Sequence, residues 1–200
     1  MRGNKKTIAL SEEQYNEIIK TIFQGGQGFR GSRKVGTALV LEANLGIRIS
    51  DILNLKLDDI IKDGERYRLD IVEQKTNKKR EFTVPTQIYS YIKEYCYDNK
   101  IQSNEYLFPS SSTRKNIPLS TQTVQKMLRI VCDYLGYNDL DISSHSFRKF
   151  FATRIYQNND YDVVLVQRLL QHSSPSVTQK YIGIGSKKLE NALNDNIILV

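Results

Sequence analysis

The spacing of apolar residues along the chain predicts helices interrupted by one β-hairpin. Most segments repeat apolar positions every three to four residues, which is typical of amphipathic helices. We expect helices in SEEQYNEIIKTIF, VGTALVLEANLG, RISDILNL, TQIYSYIKEYCYDN, TQTVQKMLRIVCDYLG, HSFRKFFATRIYQ, DVVLVQRLLQ, PSVTQKYI and SKKLENALNDN, the last preceding the apolar tail IILV. The segment YRLDIVEQKTNKKREFTVP alternates apolar and polar residues around Asn77 and Lys78, which predicts a hairpin ending at Pro85. The fold class is therefore mainly α with a small antiparallel β-sheet, an α+β fold.

Local signals predict where several of these elements begin and end. Ser11 and Gln14 have the spacing of a capping box at the start of the first helix. Gly46 is placed to end the second helix in a left-handed conformation, and Ser50 is placed to cap the next, with Arg48 at the junction. The stretch QGGQGFRGSRK is interpreted as a mobile basic loop, and KIQSNEYLFPSSSTRKNIPLS as a long loop.

The composition narrows the class of protein. A chain of 200 residues can form one principal domain, which we place at residues 8–200, with an arm at 1–7 and a tail at 186–200. The formal net charge of +7 favours nucleic acid as a partner, although many merely basic surfaces never bind it. No apolar run reaches the roughly 18 residues of a membrane span, and the start lacks the apolar centre of a signal peptide.

Cysteine and histidine are too few and too widely spaced to predict a structural metal. Cys96 and Cys132 each fall on an apolar helical stripe, so we interpret them as core residues of a protein from a reducing cytosol. With 2 histidines and 2 cysteines and no C-x-x-C or H-x-x-x-H spacing, neither metal nor another cofactor is predicted.

Each histidine is followed in the sequence by a residue whose side chain suits phosphate chemistry: Arg148 after His145, and Tyr181 after His172. His145 and Arg148 are three apart on one helix, so both can reach the same anion, although a plain surface pair is the alternative. Tyr181 follows His172, but Pro175 between them rules out one uninterrupted helix. Because Tyr181 is one of 12 tyrosines, a structural role is its alternative.

Four separated motifs, taken in order, resemble those of the tyrosine recombinase, or phage integrase, family over about residues 8–190. They are LEANLGIRISDILNLKLDDI, the hairpin with QKTNKKREFTVP, HSFRKFFATRI and LLQHSSPSVTQKYI. The resemblance implies the tyrosine recombinase catalytic-domain fold. It also implies a catalytic set with Tyr181 as nucleophile and Asp51 as support for the first arginine: Arg48, Lys75, His145, Arg148, His172 and Tyr181. Lys78 and Lys79 are alternatives to Lys75, and Gln171 stands where the family usually has glycine.

The implied activity is site-specific DNA recombination through a covalent 3′-phosphotyrosyl intermediate, serving integration, excision or inversion of mobile DNA. The implied partners are double-stranded DNA, three further copies of the chain on DNA, a monomeric free state and an accessory DNA-bending or directionality protein. We expect a bacterial or phage-encoded, cytoplasmic and nucleoid-associated protein. A type IB topoisomerase-like enzyme and a catalytically silent DNA-binding regulator of the same fold remain alternatives.

The family also sets expectations for the ends of the chain and for DNA contacts. The usual N-terminal core-binding domain is absent from this sequence, so the chain is either an excised catalytic domain or a short member. The tail IILV could pack on a neighbouring protomer or on its own domain. Candidate phosphate contacts are the basic residues Lys78, Lys79, Arg80, Lys115 and Arg129, for which an ordinary surface charge is the alternative.

Overall fold

The computed structural model describes residues 7–72, 79–110 and 117–182. They belong to two compact units that divide between Phe151 and Ala152, within one helix. The first unit contains α1 Glu12–Gln24, β1 Gly25–Gly26, β2 Phe29–Arg30, α2 Arg33–Leu45, α3 Ile49–Leu53, β3 Ile60–Asp63, β4 Arg66–Val72, β5 Lys79–Val84, α4 Thr86–Asp98, α5 Thr121–Tyr134 and the start of α6 Ser144–Asn158. The second contains the rest of α6, α7 Val163–Leu170 and α8 Pro175–Ile182. This confirms a mainly helical fold with small antiparallel sheets.

Helix α1 begins as its sequence predicts. The Ser11 hydroxyl accepts from the Gln14 N–H at 3.1 Å, and the Gln14 side chain accepts from the Ser11 N–H at 2.9 Å. This reciprocal pair satisfies two N–H groups that a helix start otherwise leaves without partners. Helix α1 packs against α2 and α5, and α3 packs against α2 and α5. The Tyr15 ring of α1 stacks on Phe150 of α6, with ring centroids 4.6 Å apart.

The glycine-rich stretch after α1 is a short hairpin, so its interpretation as a mobile loop was wrong. Gly25 pairs with Arg30 and Gly26 with Phe29. A Cβ on Gly31 would lie 2.3 Å from the Phe23 carbonyl oxygen, and one on Gly25 would lie 2.5 Å from the Gly31 nitrogen. The glycines therefore permit two neighbouring backbone segments to approach closely, a requirement that composition alone does not reveal.

The larger sheet has three antiparallel strands in the order β3-β4-β5. The predicted hairpin is confirmed as β4 and β5, which pair from Tyr67 with Val84 to Val72 with Lys79, and β5 ends at Val84, directly before Pro85. Its predicted turn at Asn77 and Lys78 lies outside the described residues. Strand β3 was not predicted because its four residues, IIKD, do not alternate apolar and polar positions. In the structure only Ile60 of this strand is buried.

The core of the first unit combines residues from every helix in it. The largest fully buried side chains include Ile18, Ile22, Leu39, Leu41, Ile52, Leu69, Ile92 and Phe147. Burial of each such side chain stabilises the fold by about 1.5–3 kcal/mol. Cys96 and Cys132 are buried free thiols, which confirms their interpretation as core residues. The long loop after α4 also enters this core, because Leu107 and Phe108 are fully buried.

The second unit is organised by two short helices that pack against each other. Helix α7 begins at Asp162, whose carboxylate accepts from the N–H groups of Val164 and Leu165 at 2.8 and 3.0 Å. The predicted helix SKKLENALNDN and the tail IILV lie outside the described residues. Across the described ranges, no helix has both the length and the apolar character needed to cross a bilayer.

Candidate active site

Arg48 lies at the turn between α2 and α3, as the sequence predicts. Gly46 ends α2 in the left-handed region, with φ 64° and ψ 15°, and its N–H donates to the Glu42 carbonyl at 3.0 Å. Arg48 itself precedes α3, and its carbonyl accepts from the N–H groups of Asp51 and Ile52 at 2.9 and 3.0 Å. The prediction that Ser50 caps this helix was wrong, because α3 begins at Ile49 and Ser50 lies inside it.

Asp51 is buried in the first turn of α3, three residues after Arg48. It lines an open cleft of about 200 Å³ together with Asn54, Leu55, Asp59, Asp70, Ile71 and Val72. This cleft adjoins the end of β4, after which the segment containing Lys75 follows. The first unit therefore places Asp51 near both the Arg48 turn and the end of β4.

Helix α6 carries His145 and Arg148 in contrasting environments. At its start the Ser143 N–H donates to the Ser146 hydroxyl at 3.2 Å, and the Ser146 N–H donates to the Ser143 carbonyl at 2.9 Å. His145, in the first turn, is exposed, whereas Arg148 is only 4% exposed. An arginine is rarely so buried without a compensating partner, so the alternative of a plain surface pair does not fit Arg148.

Glu42 is an acidic residue that sequence reasoning missed. It is fully buried, and its Oε1 accepts from the Ile49 N–H at 3.2 Å. Burial raises its pKa well above the ordinary value, while the charge of Arg148 and the Ile49 hydrogen bond act to lower it. The signal in the sequence was a single carboxylate within the apolar helix VGTALVLEANL.

In the second unit, His172 lies just after α7 on a left-handed turn. Gln171 has φ 53° and ψ 42°, a conformation that glycine adopts with little strain. Its N–H donates to the Arg168 carbonyl at 3.1 Å, and the His172 N–H donates to the Gln167 carbonyl at 3.0 Å. Gln171, which stands where the family usually has glycine, therefore adopts the left-handed backbone conformation that glycine favours.

His172 and Tyr181 come together although they do not share a helix. The two rings make an edge contact, with centroids 5.1 Å apart and planes at 78°. The His172 Nδ1 lies 3.0 Å from the hydroxyl of Thr178, which is fully buried. Tyr181 is half-buried in α8. Sequence reasoning missed Thr178, and its place between the two residues in the chain was the available signal.

The candidate phosphate contacts differ in their placement. Lys79 and Arg129 are exposed, on β5 and α5. Arg80 pairs with Ile71 and shares its face of the sheet with Phe82 and Val84, so it is half-buried on the inner side. Lys75, Lys78 and Lys115 lie outside the described residues.

The fold of the chain matches known recombinase structures. The crystal structure of the XerH site-specific recombinase bound to palindromic difH substrate, a post-cleavage complex, superposes with a TM-score of 0.71 at 24% identity. That similarity covers 96% of this chain and 53% of the XerH chain. At this identity the likeness establishes the tyrosine recombinase catalytic-domain fold.

Sequence comparison defines the family. The model of the phage integrase family matches residues 9–187. The chain is 40% identical over 141 residues to the probable integrase/recombinase YoeC of Bacillus subtilis (strain 168), covering 70% of this chain and 72% of YoeC. It is 28% identical over 187 residues to the tyrosine recombinase XerA of Pyrococcus furiosus, covering 92% of this chain and 60% of XerA. The chain therefore belongs to the phage integrase family, and it spans between about half and three quarters of the length of these relatives.

Proposed function

We propose that this chain is the catalytic part of a site-specific DNA recombinase that cuts and rejoins DNA through Tyr181. The observation that carries the proposal is the contact of His172 with Tyr181 in a chain of the phage integrase family. Tyr181 Oη would form a bond to the phosphorus, and the bond from phosphorus to the 5′ oxygen would break. The product is a 3′-phosphotyrosyl linkage with a free 5′ hydroxyl.

Arg48 and Arg148 are proposed to bind the non-bridging oxygens of that phosphate. A guanidinium is permanently charged and offers forked donors that match two oxygens, and charge develops on these oxygens in the transition state. The burial of Arg148 supports this role, because a guanidinium held away from water interacts more strongly with an anion. Asp51, buried one turn after Arg48, is proposed to support the first arginine.

The remaining groups are proposed to move protons. A free tyrosine has a pKa of about 10, so Tyr181 needs a base or a cationic field to react at neutral pH. We assign His145 as the proton acceptor and His172 as a donor to the phosphate. Lys75 would protonate the departing 5′ oxygen, with Lys78 and Lys79 as alternatives.

The phosphotyrosyl bond keeps the energy of the broken phosphodiester, so a 5′ hydroxyl from another strand can reverse the reaction without ATP. Exchange between two duplexes then requires four active sites, which is why we propose a homotetramer on DNA. We also propose that the chain is a monomer when no DNA is bound. Exposed Lys79 and Arg129, with Lys78 and Lys115, are proposed to contact backbone phosphates. The open cleft of about 340 Å³ lined by Ser50, Asn54, Ser120 and Thr121 offers further donors beside α3.

The test is a covalent trapping experiment. The protein is incubated with a library of nicked duplexes whose central sequence is randomised, the mixture is denatured, and adducts are isolated and sequenced. We expect adducts on a shared sequence with wild-type protein and with Tyr97→Phe, a matched control at an exposed tyrosine. Tyr181→Phe should form none.

The same experiment separates the alternatives. Adducts that persist in Tyr181→Phe would overturn the assignment of the nucleophile. DNA binding without any adduct would favour a silent regulator. Relaxation of supercoiled plasmids regardless of their sequence would favour a type IB topoisomerase-like enzyme.

A further inference from the structure

Glu42 is the single acidic residue of α2, and it is fully buried one turn before Gly46 ends that helix. A buried carboxylate is unfavourable unless hydrogen bonds or a cation compensate for lost hydration. None of the roles proposed above uses it. Neither solubility nor helix propensity explains why a glutamate lies at this fully buried position.

The first compensation comes from the turn that carries Arg48. Glu42 Oε1 accepts from the N–H of Ile49, the residue directly after Arg48, at 3.2 Å. The first N–H groups of a helix have no partner within it, and Arg48, at the cap position of α3, makes no side-chain capping bond. Glu42 thus supplies a cap from a different helix and fixes the backbone from which the Arg48 side chain extends.

The second compensation comes from Arg148. Within the described residues, Glu42 Oε2 has no hydrogen-bond partner, so a charge on this carboxyl would have to be compensated by a nearby cation. The Arg148 charge acts on Glu42, lowering its pKa against the larger effect of burial. An electrostatic interaction is mutual, so the same field acts on the guanidinium of Arg148, which is itself buried.

We propose that Glu42 is a positioning residue: its bond to the Ile49 N–H holds the Arg48 turn, and its carboxyl acts electrostatically on the buried Arg148 guanidinium. The consequence for the reaction rests on the proposed function, whereas these two interactions do not. Glu42 touches neither DNA nor the reacting atoms in this assignment; it acts only through the two arginines.

Two substitutions separate the two contacts. Glu42→Gln keeps an oxygen for the Ile49 N–H but cannot carry a charge, so it loses the electrostatic interaction with Arg148. Glu42→Leu removes both contacts at similar volume. Because removing one partner of a buried charge pair leaves the other with less compensation, both variants should have a lower Tm. Glu42→Leu should have the lower Tm of the two, because the Ile49 N–H also loses its acceptor.

The cleavage measurement is the single-turnover rate of adduct formation at saturating concentrations of the duplex that wild-type protein selects. We expect a fall of about 5- to 30-fold in Glu42→Gln and a larger fall in Glu42→Leu. Affinity for the same duplex, measured in a Tyr181→Phe background, should change by less than about threefold. Leu39→Ala, a fully buried change in the same helix, is the control: it should lower Tm and leave the rate unchanged at temperatures where the variant is folded.

A second measurement needs no DNA. The Nε–Hε correlation of Arg148 in the NMR spectrum, assigned by its absence in Arg148→Lys, should shift or broaden in Glu42→Gln. An unchanged signal, or a Glu42→Gln enzyme as fast as wild type, would overturn the inference. If wild-type protein forms no adduct, the proposed function fails instead, and the Arg148 signal still decides the role of Glu42.

Discussion

Removing the Thr178 hydroxyl should impair the reaction by disturbing His172. Thr178→Val is nearly isosteric, and residue 178 is fully buried, so the change deletes one hydrogen-bonding group with little change in packing. The deleted group lies 3.0 Å from His172 Nδ1. Its bond to Nδ1 favours one ring orientation and tautomer, and so determines what the other nitrogen, Nε2, presents to a phosphate.

The expected magnitude follows from the value of one hydrogen bond. A neutral bond contributes about 0.5–1.5 kcal/mol net, which corresponds to a fall of about 2- to 13-fold in the rate of adduct formation. Thr178→Ser keeps the hydroxyl and loses one methyl group. It should therefore lose about 0.8 kcal/mol of stability while keeping most of the rate.

Two assays check this. The first is the single-turnover rate of adduct formation at saturating DNA for Thr178→Val, Thr178→Ser and wild type. The second is the ¹⁵N NMR spectrum of the imidazoles, which is simple because His145 and His172 are the 2 histidines of the chain. A Val variant as fast as wild type, or a Ser variant as slow as the Val variant, would refute the assignment of Thr178 as the residue that orients His172.

Further predictions concern stability and thiol reactivity. Gly46→Ala should lower the free energy of unfolding in urea by about 1 kcal/mol, because alanine is strained at φ 64°; an unchanged value would contradict the left-handed cap. Asp162→Ala should cost about 1 kcal/mol through loss of the α7 cap, whereas Asp162→Asn should keep most of it. Burial raises the pKa values of Cys96 and Cys132 from 9.0 to about 11, so both thiols should react slowly with a disulfide reagent at pH 8 until urea is added. The same thiols ionise at a lower pH in the unfolded chain than in the folded one. The folded state should therefore keep its full stability from the two buried thiols below pH 9.0 and lose this contribution as the pH rises toward 11, which urea titrations across that range would detect.

The helices were predictable because their signals are local. The capping box at Ser11, the left-handed Gly46 and the apolar stripe of α5 each depend on residues within a few positions of one another. Strand β3 and the hairpin at Gly25 were not predictable in this way. Both pair across short turns, Ile60 with Leu69 and Gly25 with Arg30, but neither IIKD nor the glycine-rich stretch alternates apolar and polar residues.

The sequence by itself determined the residue types of the candidate site, their order and their assignment to helix, turn or hairpin, since these depend on short-range spacing and on motifs that resemble one family. Only the tertiary structure decided which of those groups are buried and what each one contacts. It placed Arg148 in the core, left His145 exposed and turned Arg80 to the inner face of its sheet. It also brought Glu42 to the turn that carries Arg48, and Thr178 to the ring of His172. The physical reason is that burial and electrostatic fields are properties of packed elements, and residues distant in sequence contribute to them as much as neighbours do.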